Sequence, residues 1–110
     1  MKRMLLPALL MAGACQAQQG GEWVDLQQQE AAAVFGEKCG MCHRANGMGT
    51  TILGRRQQGE LALLENRRDL TAAFIDTVVR AGFGVMYPIS RGEVSDEQLY
   101  RIKQHLVKQQ

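Results

Sequence analysis

Aromatic and proline residues are scarce in this sequence of 110 residues, which contains three Phe, two Tyr, one Trp and two Pro. A chain of this length has room for one small domain. Domains of this size gain little stability from burial alone and often rely on an internal brace. The shortage of aromatic side chains also leaves little material for a core. A large apolar group bound inside the fold would fill the space that the side chains leave.

Long apolar runs are also lacking. The most apolar stretch, residues 5–14, is far shorter than the ~20 residues that a membrane-spanning helix needs. It follows a basic start at residues 1–3 and precedes the small residues Ala14 and Ala17, which is the layout of a secretory signal peptide. We therefore predict a signal peptide over 1–17 and a single domain over 18–110, exported to the periplasm and without a membrane span.

No excess of charge of one sign is present. The formal net charge is +2, and removal of the signal peptide takes Lys2 and Arg3 from the thirteen basic residues, which leaves eleven against eleven acidic residues. A nucleic-acid-binding domain normally carries a strong basic patch. The composition therefore predicts no nucleic-acid partner.

Cysteine is limited to three residues, of which Cys15 lies at the end of the apolar stretch. It could be the acylated cysteine of a lipoprotein that faces the periplasm, although Ala12 stands where that motif normally has Leu. The other outcome is that Cys15 is removed with the signal peptide. Both outcomes remain open from the sequence.

The other two cysteines form the pattern Cys39-Gly40-Met41-Cys42-His43. This C-x-x-C-H spacing is the attachment signature of a c-type haem. The two thiols add across the two vinyl groups of the haem, and the histidine that follows is the proximal iron ligand. We predict one covalently bound haem c, held by Cys39, Cys42 and His43.

Two other kinds of site use a C-x-x-C pair. A thioredoxin-type dithiol requires a βαβ context, whereas the flanking residues here are rich in Ala, Glu and Gly. A zinc site requires further ligands, and His105 is the one remaining histidine. His105 lies among Lys103, Gln104 and Lys108, so we expect it to be solvated.

A second iron ligand is expected from one of the methionines after residue 17. Met41 lies inside the attachment motif, and Met48 follows His43 too closely to reach the other face of a haem. Met86 lies in a later loop that contains Gly and Pro, so we predict it as the axial thioether ligand. The alternative is that Met86 only fills the core, as most methionines do.

Hydrophobic periodicity predicts an all-α fold, with helices over 26–39, 59–66, 71–81 and 95–108 and loops over 44–56 and 83–92. Thr71 and Ser95 are predicted N-caps, and Gly82 is predicted to end the third helix. The side chains predicted to face inward are Leu26, Ala33, Val34 and Phe35 in the first helix, Phe74, Ile75, Val78 and Val79 in the third, and Leu99, Ile102, Leu106 and Val107 in the last.

Residues 31–107 resemble the class I monohaem cytochromes c, in which N- and C-terminal helices cross around one covalently bound haem. Phe35 and Tyr100 match the aromatic positions where those helices cross. The segments AFIDTVVRAGFGVM (73–86) and GMGTTILGR (47–55) resemble the cytochrome subunit of p-cresol methylhydroxylase-type flavocytochromes. This resemblance implies an electron-transfer protein, not an enzyme, with a flavin-dependent dehydrogenase as its redox partner.

The sequence departs from that family at three places. Thr50 stands where relatives usually have a Pro whose carbonyl accepts a hydrogen bond from Nδ1 of the proximal histidine. We expect the carbonyl of Thr50 to take this role, from a less rigid backbone. Tyr87 separates Met86 from Pro88, where many relatives have Met-Pro. The stretch 56–70 is longer than in close relatives. Three interpretations of the arginines here remain open: a solvated loop and helix face, binding of a haem propionate by Arg55, or contact of this segment with a partner.

His43 and Met86 as axial ligands would leave no open iron position, which predicts one-electron transfer and not catalysis. We expect the haem ring to be surrounded by apolar residues, namely Ile52, Leu53, Val79 and Val85. These surroundings would raise the reduction potential of the iron. Two alternatives remain: a free diffusible cytochrome c that feeds a terminal oxidase or peroxidase, and a haem sensor or small-ligand binder in which Met86 does not bind the iron.

Overall fold

The computed structural model describes residues 19–108, and side chains from Trp23 onward. The predicted signal peptide and Cys15 lie outside these residues. The elements are α1 (Gln19–Lys38), α2 (Gly40–His43), α3 (Met48–Leu53), two 3₁₀ turns (Gly59–Ala62 and Leu64–Asn66), α4 (Ala72–Ala81) and α5 (Asp96–Leu106). The described residues contain helices and no β-strand, so the predicted all-α fold is confirmed. Over the same residues, no helix has both the length and the apolar character that a membrane crossing requires.

The core lies where α1 crosses α5, which is the most extensive contact between helices. Phe35 of α1 is completely buried, and three side chains of α5, Leu99, Ile102 and Leu106, pack into the same cluster. These positions were predicted to face inward because their spacing places them on one side of a helix. Val34 and Val107 contribute at the edge of the cluster.

The outer part of α1 does not join this core. The helix already includes Gln19, earlier than predicted, and from Trp23 onward its first buried residue is Ala31. Leu26 and Ala33 are exposed, so their predicted inward orientation was wrong. Ala31 and Phe35, four residues apart, define the face that α5 covers.

Two predictions for α5 need correction. Tyr100 is 56% exposed and lies outside the buried core cluster, because it is one residue out of phase with Leu99. His105 is not solvated: its ring packs against Phe35 with centroids 5.2 Å apart, and its Nε2 lies 2.6 Å from Oε1 of Glu65. His105 is three residues beyond Ile102 and therefore shares the inner face of the helix.

A helix, α3, occupies part of the segment 44–56 that was predicted as a loop. Its glycines occur at the N-cap (Gly47) and in the first turn (Gly49), where they disturb a helix less than in its interior. Thr51 reinforces this start because both its backbone N–H and its hydroxyl donate to the carbonyl of Gly47, at 2.9 and 3.0 Å. The predicted helix over 59–66 is replaced by the two 3₁₀ turns.

The last two helices follow their predicted capping signals. Thr71 accepts a hydrogen bond from the backbone N–H of Phe74 at 3.1 Å, and α4 ends at Gly82 with φ of 79°. Ser95 and Gln98 form a complete capping box at the start of α5. On α4, Ile75 and Val79 are buried as predicted and Val78 is half-buried, whereas Phe74 is exposed.

Candidate functional site

An apolar cavity of about 280 Å³ lies next to the core. The four residues predicted to surround a ring, Ile52, Leu53, Val79 and Val85, all line it. Leu64 and Leu70 also line it, so the long segment 56–70 supplies part of its wall. The cavity therefore offers apolar space for a large bound group, as the shortage of aromatic side chains in the sequence had suggested.

The attachment motif forms one end of this cavity. The motif is one helical turn, in which the N–H of His43 donates to the carbonyl of Cys39 at 2.9 Å. Cys39 and His43 line the cavity, while Cys42 is half-buried on the same turn and is not among the lining residues. Burial, reinforced by the neighbouring Cys42, raises the pKa of the Cys39 thiol to about 11. Burial also lowers the pKa of His43, which favours the neutral imidazole that binds metals.

The imidazole of His43 is packed against the start of α3. A Cβ added at Gly49 would lie 2.9 Å from Cε1 of His43 and 3.1 Å from its Nδ1, so only glycine fits here. Nδ1 is buried and has no hydrogen-bond partner. The carbonyl of Thr50, expected to accept from Nδ1, instead accepts from the N–H of Gly54 at 2.9 Å, and the Thr50 hydroxyl is 3.5 Å from the carbonyl of Cys42.

Met86 reaches the same cavity from the loop between α4 and α5. A tight turn presents it: the N–H of Phe83 donates to the carbonyl of Met86, and the N–H of Met86 donates to the carbonyl of Phe83, both at 3.0 Å. Met86 is half-buried and packs against the core cluster. By contrast, Met41 is 90% exposed and Met48 is 66% exposed.

Cys39, His43 and Met86 thus line one apolar cavity in an all-helical domain. The family described as cytochrome c oxidase, cbb3-type, subunit III matches residues 26–106. The chain belongs to this family. Its domain is that of a class I monohaem cytochrome c. Neither the curated proteins nor the solved structures include a significant match.

Membership in the family makes the protein a haem-based electron carrier with a covalently bound c-type haem. The residues of this cytochrome fit that cofactor. The cavity is apolar, and the imidazole of His43, the thiol of Cys39 and the thioether of Met86 all line it. The described residues include neither a strand nor a group of three or more His, Cys, Asp and Glu side chains arranged to bind a metal ion.

The arginines that line the cavity do not include Arg55, the one singled out from the sequence. Arg56 and Arg67 line the cavity, and Arg67 is also held by Asp69 through contacts of 2.9 and 2.7 Å. Arg55 is exposed and is not among the lining residues. Its contact with a haem propionate stays a prediction.

The lining residues that sequence reasoning missed include Gly49, Arg56 and Arg67. The G-M-G pattern at 47–49 was visible, but nothing in it showed that the second glycine would approach His43. The arginines depend on how the 3₁₀ turns fold across the cavity, and these turns have no strong hydrophobic period from which the orientation of a side chain could be deduced.

Proposed function

We propose that this cytochrome is a one-electron carrier whose haem is attached at Cys39 and Cys42 and ligated by His43 and Met86. The observation that carries the proposal is that Cys39, His43 and Met86, from two distant parts of the sequence, line the same apolar cavity. The exposed Met41 and Met48 are poorly placed for the role given to Met86.

When bound, the haem supplies an iron centre that cycles between the ferric and ferrous states. His43 offers a neutral ring nitrogen, favoured by burial. Met86 offers a soft thioether sulfur that favours the ferrous state. The apolar walls restrict water and lower the local dielectric, which acts in the same direction. Because the protein supplies both axial ligands, no position is left for a substrate.

Substitution of Met86 tests this ligation in the purified holoprotein. Ferric haem with a thioether ligand shows a weak red charge-transfer band, which we expect in the wild type and in Met48→Ala, the matched exposed control. We expect Met86→Ala to lose the band and to bind added imidazole. A wild type that lacks the band and binds imidazole freely would favour a haem sensor or ligand binder instead.

We propose further that the protein is exported to the periplasm after cleavage of residues 1–17. The basic start, the short apolar stretch and the small residues at positions 14 and 17 support this. Mass spectrometry of the mature N-terminus tests it: a first residue after Ala17 supports cleavage there, and a diacylated Cys15 supports a lipoprotein. An intact Met1 would contradict export by either route.

For the electron donor, we propose a periplasmic flavin-dependent dehydrogenase, of which this cytochrome is a subunit or partner. The resemblance of segments 47–55 and 73–86 to the cytochrome subunit of p-cresol methylhydroxylase-type flavocytochromes supports this choice. Purification from the native periplasm tests it. Flavin absorbance that travels with the haem absorbance and bleaches with it when substrate is added would support the proposal.

A second candidate is a diffusible cytochrome c that delivers electrons to a terminal oxidase. The matching family, which is described as subunit III of a cbb3-type oxidase, supports an oxidase as the electron acceptor. Native membranes that oxidise the purified, reduced monomer rapidly, together with a periplasmic preparation free of flavin, would support this role over the first.

A further inference from the structure

Arg80, in the last turn of α4, joins three parts of the molecule with one guanidinium. Nη1 donates to the backbone carbonyls of Ile89 at 3.1 Å and Val94 at 2.9 Å, and Nη2 donates to Oδ1 of Asp96 at 2.9 Å. The side chain is 19% exposed. Arg80 therefore ties the end of α4 to the loop that follows it and to the first turn of α5.

The loop that Arg80 holds is the one that carries Met86. Its near end is fixed by the turn between Phe83 and Met86. Its far end is fixed at Ile89, whose N–H donates to the carbonyl of Val79 at 2.8 Å while its own carbonyl accepts from Arg80. Both backbone groups of Ile89 are thus bonded to α4, three residues after the sulfur-bearing side chain.

We propose that Arg80 is the positioning residue for Met86: it keeps the loop closed against α4 and so keeps the thioether in the cavity. This inference rests on the proposed His43 and Met86 ligation. Movement of Met86 out of the cavity requires the loop to lift at Ile89, which breaks the bonds from Arg80. Loss of these bonds raises the population of the open loop, and an external ligand then competes more easily for the iron.

The shape of arginine suits this role better than that of lysine. The planar guanidinium presents several N–H donors in a fixed fork, so one side chain serves two carbonyls and a carboxylate at once. A lysine ammonium is a compact point charge on a flexible stem. Arg80→Lys should therefore keep the charge and most of the packing but lose part of the hold on the loop.

The test uses ferric holoprotein, with imidazole as the competing ligand. We expect Arg80→Gln to bind imidazole roughly tenfold more tightly than the wild type. The substitution removes stabilisation of the closed loop equal to that of about one charge-assisted hydrogen bond. Arg80→Lys should fall between the two, and the red thioether band should weaken in the same order. If Arg80→Gln does not accumulate as holoprotein, Arg80→Lys carries the test alone.

Two controls separate positioning from general destabilisation. Arg101→Ala removes an arginine of α5 that pairs with Glu30 at 3.1 Å and Glu97 at 3.4 Å and forms no hydrogen bond with the loop. Asp96→Asn weakens the contact of Arg80 with a carboxylate but leaves its two carbonyl contacts. Both variants should unfold at lower urea concentrations than the wild type while retaining its imidazole affinity and red band.

Three outcomes decide the matter. An unchanged imidazole affinity in both Arg80 variants, with the red band intact, overturns the role of Arg80 even if both variants are less stable. An equal gain in affinity in Arg101→Ala also overturns it, because the effect would then follow stability alone. A wild type without the red band removes the proposed ligation itself, which is a separate result from the failure of Arg80.

Discussion

Gly49 is the residue that most tightly limits the position of His43. A Cβ at this position would lie 2.8 Å from the carbonyl oxygen of Cys42 and 2.9 Å from Cε1 of His43, so the helix start or the imidazole must move to admit it. We expect Gly49→Ala to lower the free energy of unfolding of the holoprotein by ~1–3 kcal/mol, the usual cost of overpacking. Urea denaturation followed by the haem absorbance measures it.

Gly92 provides the matched control for this substitution. An added Cβ there would meet only Oγ of Ser90, at an ordinary 3.7 Å. Gly92→Ala should therefore change the free energy of unfolding by less than ~0.5 kcal/mol, as substitutions at unconstrained surface sites do. Equal costs at Gly49 and Gly92 would show that contact with His43 does not constrain position 49.

For single residues, the sequence predicts the features that depend on neighbouring residues in the chain. The haem-attachment pattern is contained in five consecutive residues, and the four apolar residues expected around the ring do line the cavity. The side chains that depend on packing between distant segments were not predictable. His105 is the clearest case, because only the position of Glu65 and Phe35 reveals that its ring is held at the core.

The element that carries Met86 depends on a glycine at the end of α4. Gly82 has φ of 79°, and an added Cβ would lie 2.7 Å from the carbonyl oxygen of Met86. We expect Gly82→Ala to destabilise the protein by roughly 3 kcal/mol through backbone strain and this clash together. It should also weaken the red thioether band, which absorbance of the ferric protein will show.

Gly59 separates the two causes of destabilisation, backbone strain and steric clash. It also has positive φ, 55°, but an added Cβ would find nothing within 4 Å. Gly59→Ala should therefore cost about 1 kcal/mol for backbone strain alone and leave the spectrum unchanged. A spectral change in Gly59→Ala as large as that in Gly82→Ala would contradict the assignment of the effect to Met86.

The start of α5 should make stability depend on pH. Hydrogen bonds from Arg91, and then from Arg80, hold the pKa of Asp96 below its ordinary value of 3.8. A lowered folded-state pKa means that the ionised carboxylate stabilises the fold above pH 3.8, and that this contribution disappears as the pH falls through the lowered value. Asp96→Asn should thus be less stable than the wild type near neutral pH and equally stable in strong acid.

Thermal unfolding of the two proteins across this pH range is the measurement. A difference in melting temperature that persists below the folded-state pKa of Asp96 would show that the substitution acts through helix capping or packing and not through charge. Added salt should reduce the neutral-pH difference, because the carboxylate is exposed.

Helices with strong end signals were predictable, and those without them were not. Thr71, Ser95 and Gly82 mark the ends of α4 and α5, and the structure confirms all three. The helix α3 was missed because its glycines fall at positions that normally indicate a loop. Its stability comes from Thr51 and from packing beneath His43, and neither is a periodic signal.

For the whole molecule, the cavity predicts a strong dependence of stability on the cofactor. The Cys39→Ser/Cys42→Ser double variant has no thiols for haem attachment, so its apolar cavity must collapse or fill with water. We expect this variant to keep part of its helical circular dichroism, to lose cooperative urea unfolding, and to bind a hydrophobic dye.

Met86→Ala is the control for this prediction, since it keeps both attachment cysteines. It should unfold cooperatively, although at a lower urea concentration than the wild type. Cooperative unfolding of the double variant, with an undiminished dependence on urea, would show that the protein core is sufficient without the haem.

The crossing of α1 and α5 also links the folding of the domain to the timing of haem attachment. The core around Phe35 closes only when α1 and α5, which are far apart in the sequence, have met. Until then the attachment motif is open and its thiols are accessible. Once closure occurs, Cys39 is partly buried, and this burial together with the neighbouring Cys42 raises the pKa of its thiol to about 11, which lowers its thiolate fraction at neutral pH. We therefore expect haem attachment to be slower after closure than before it.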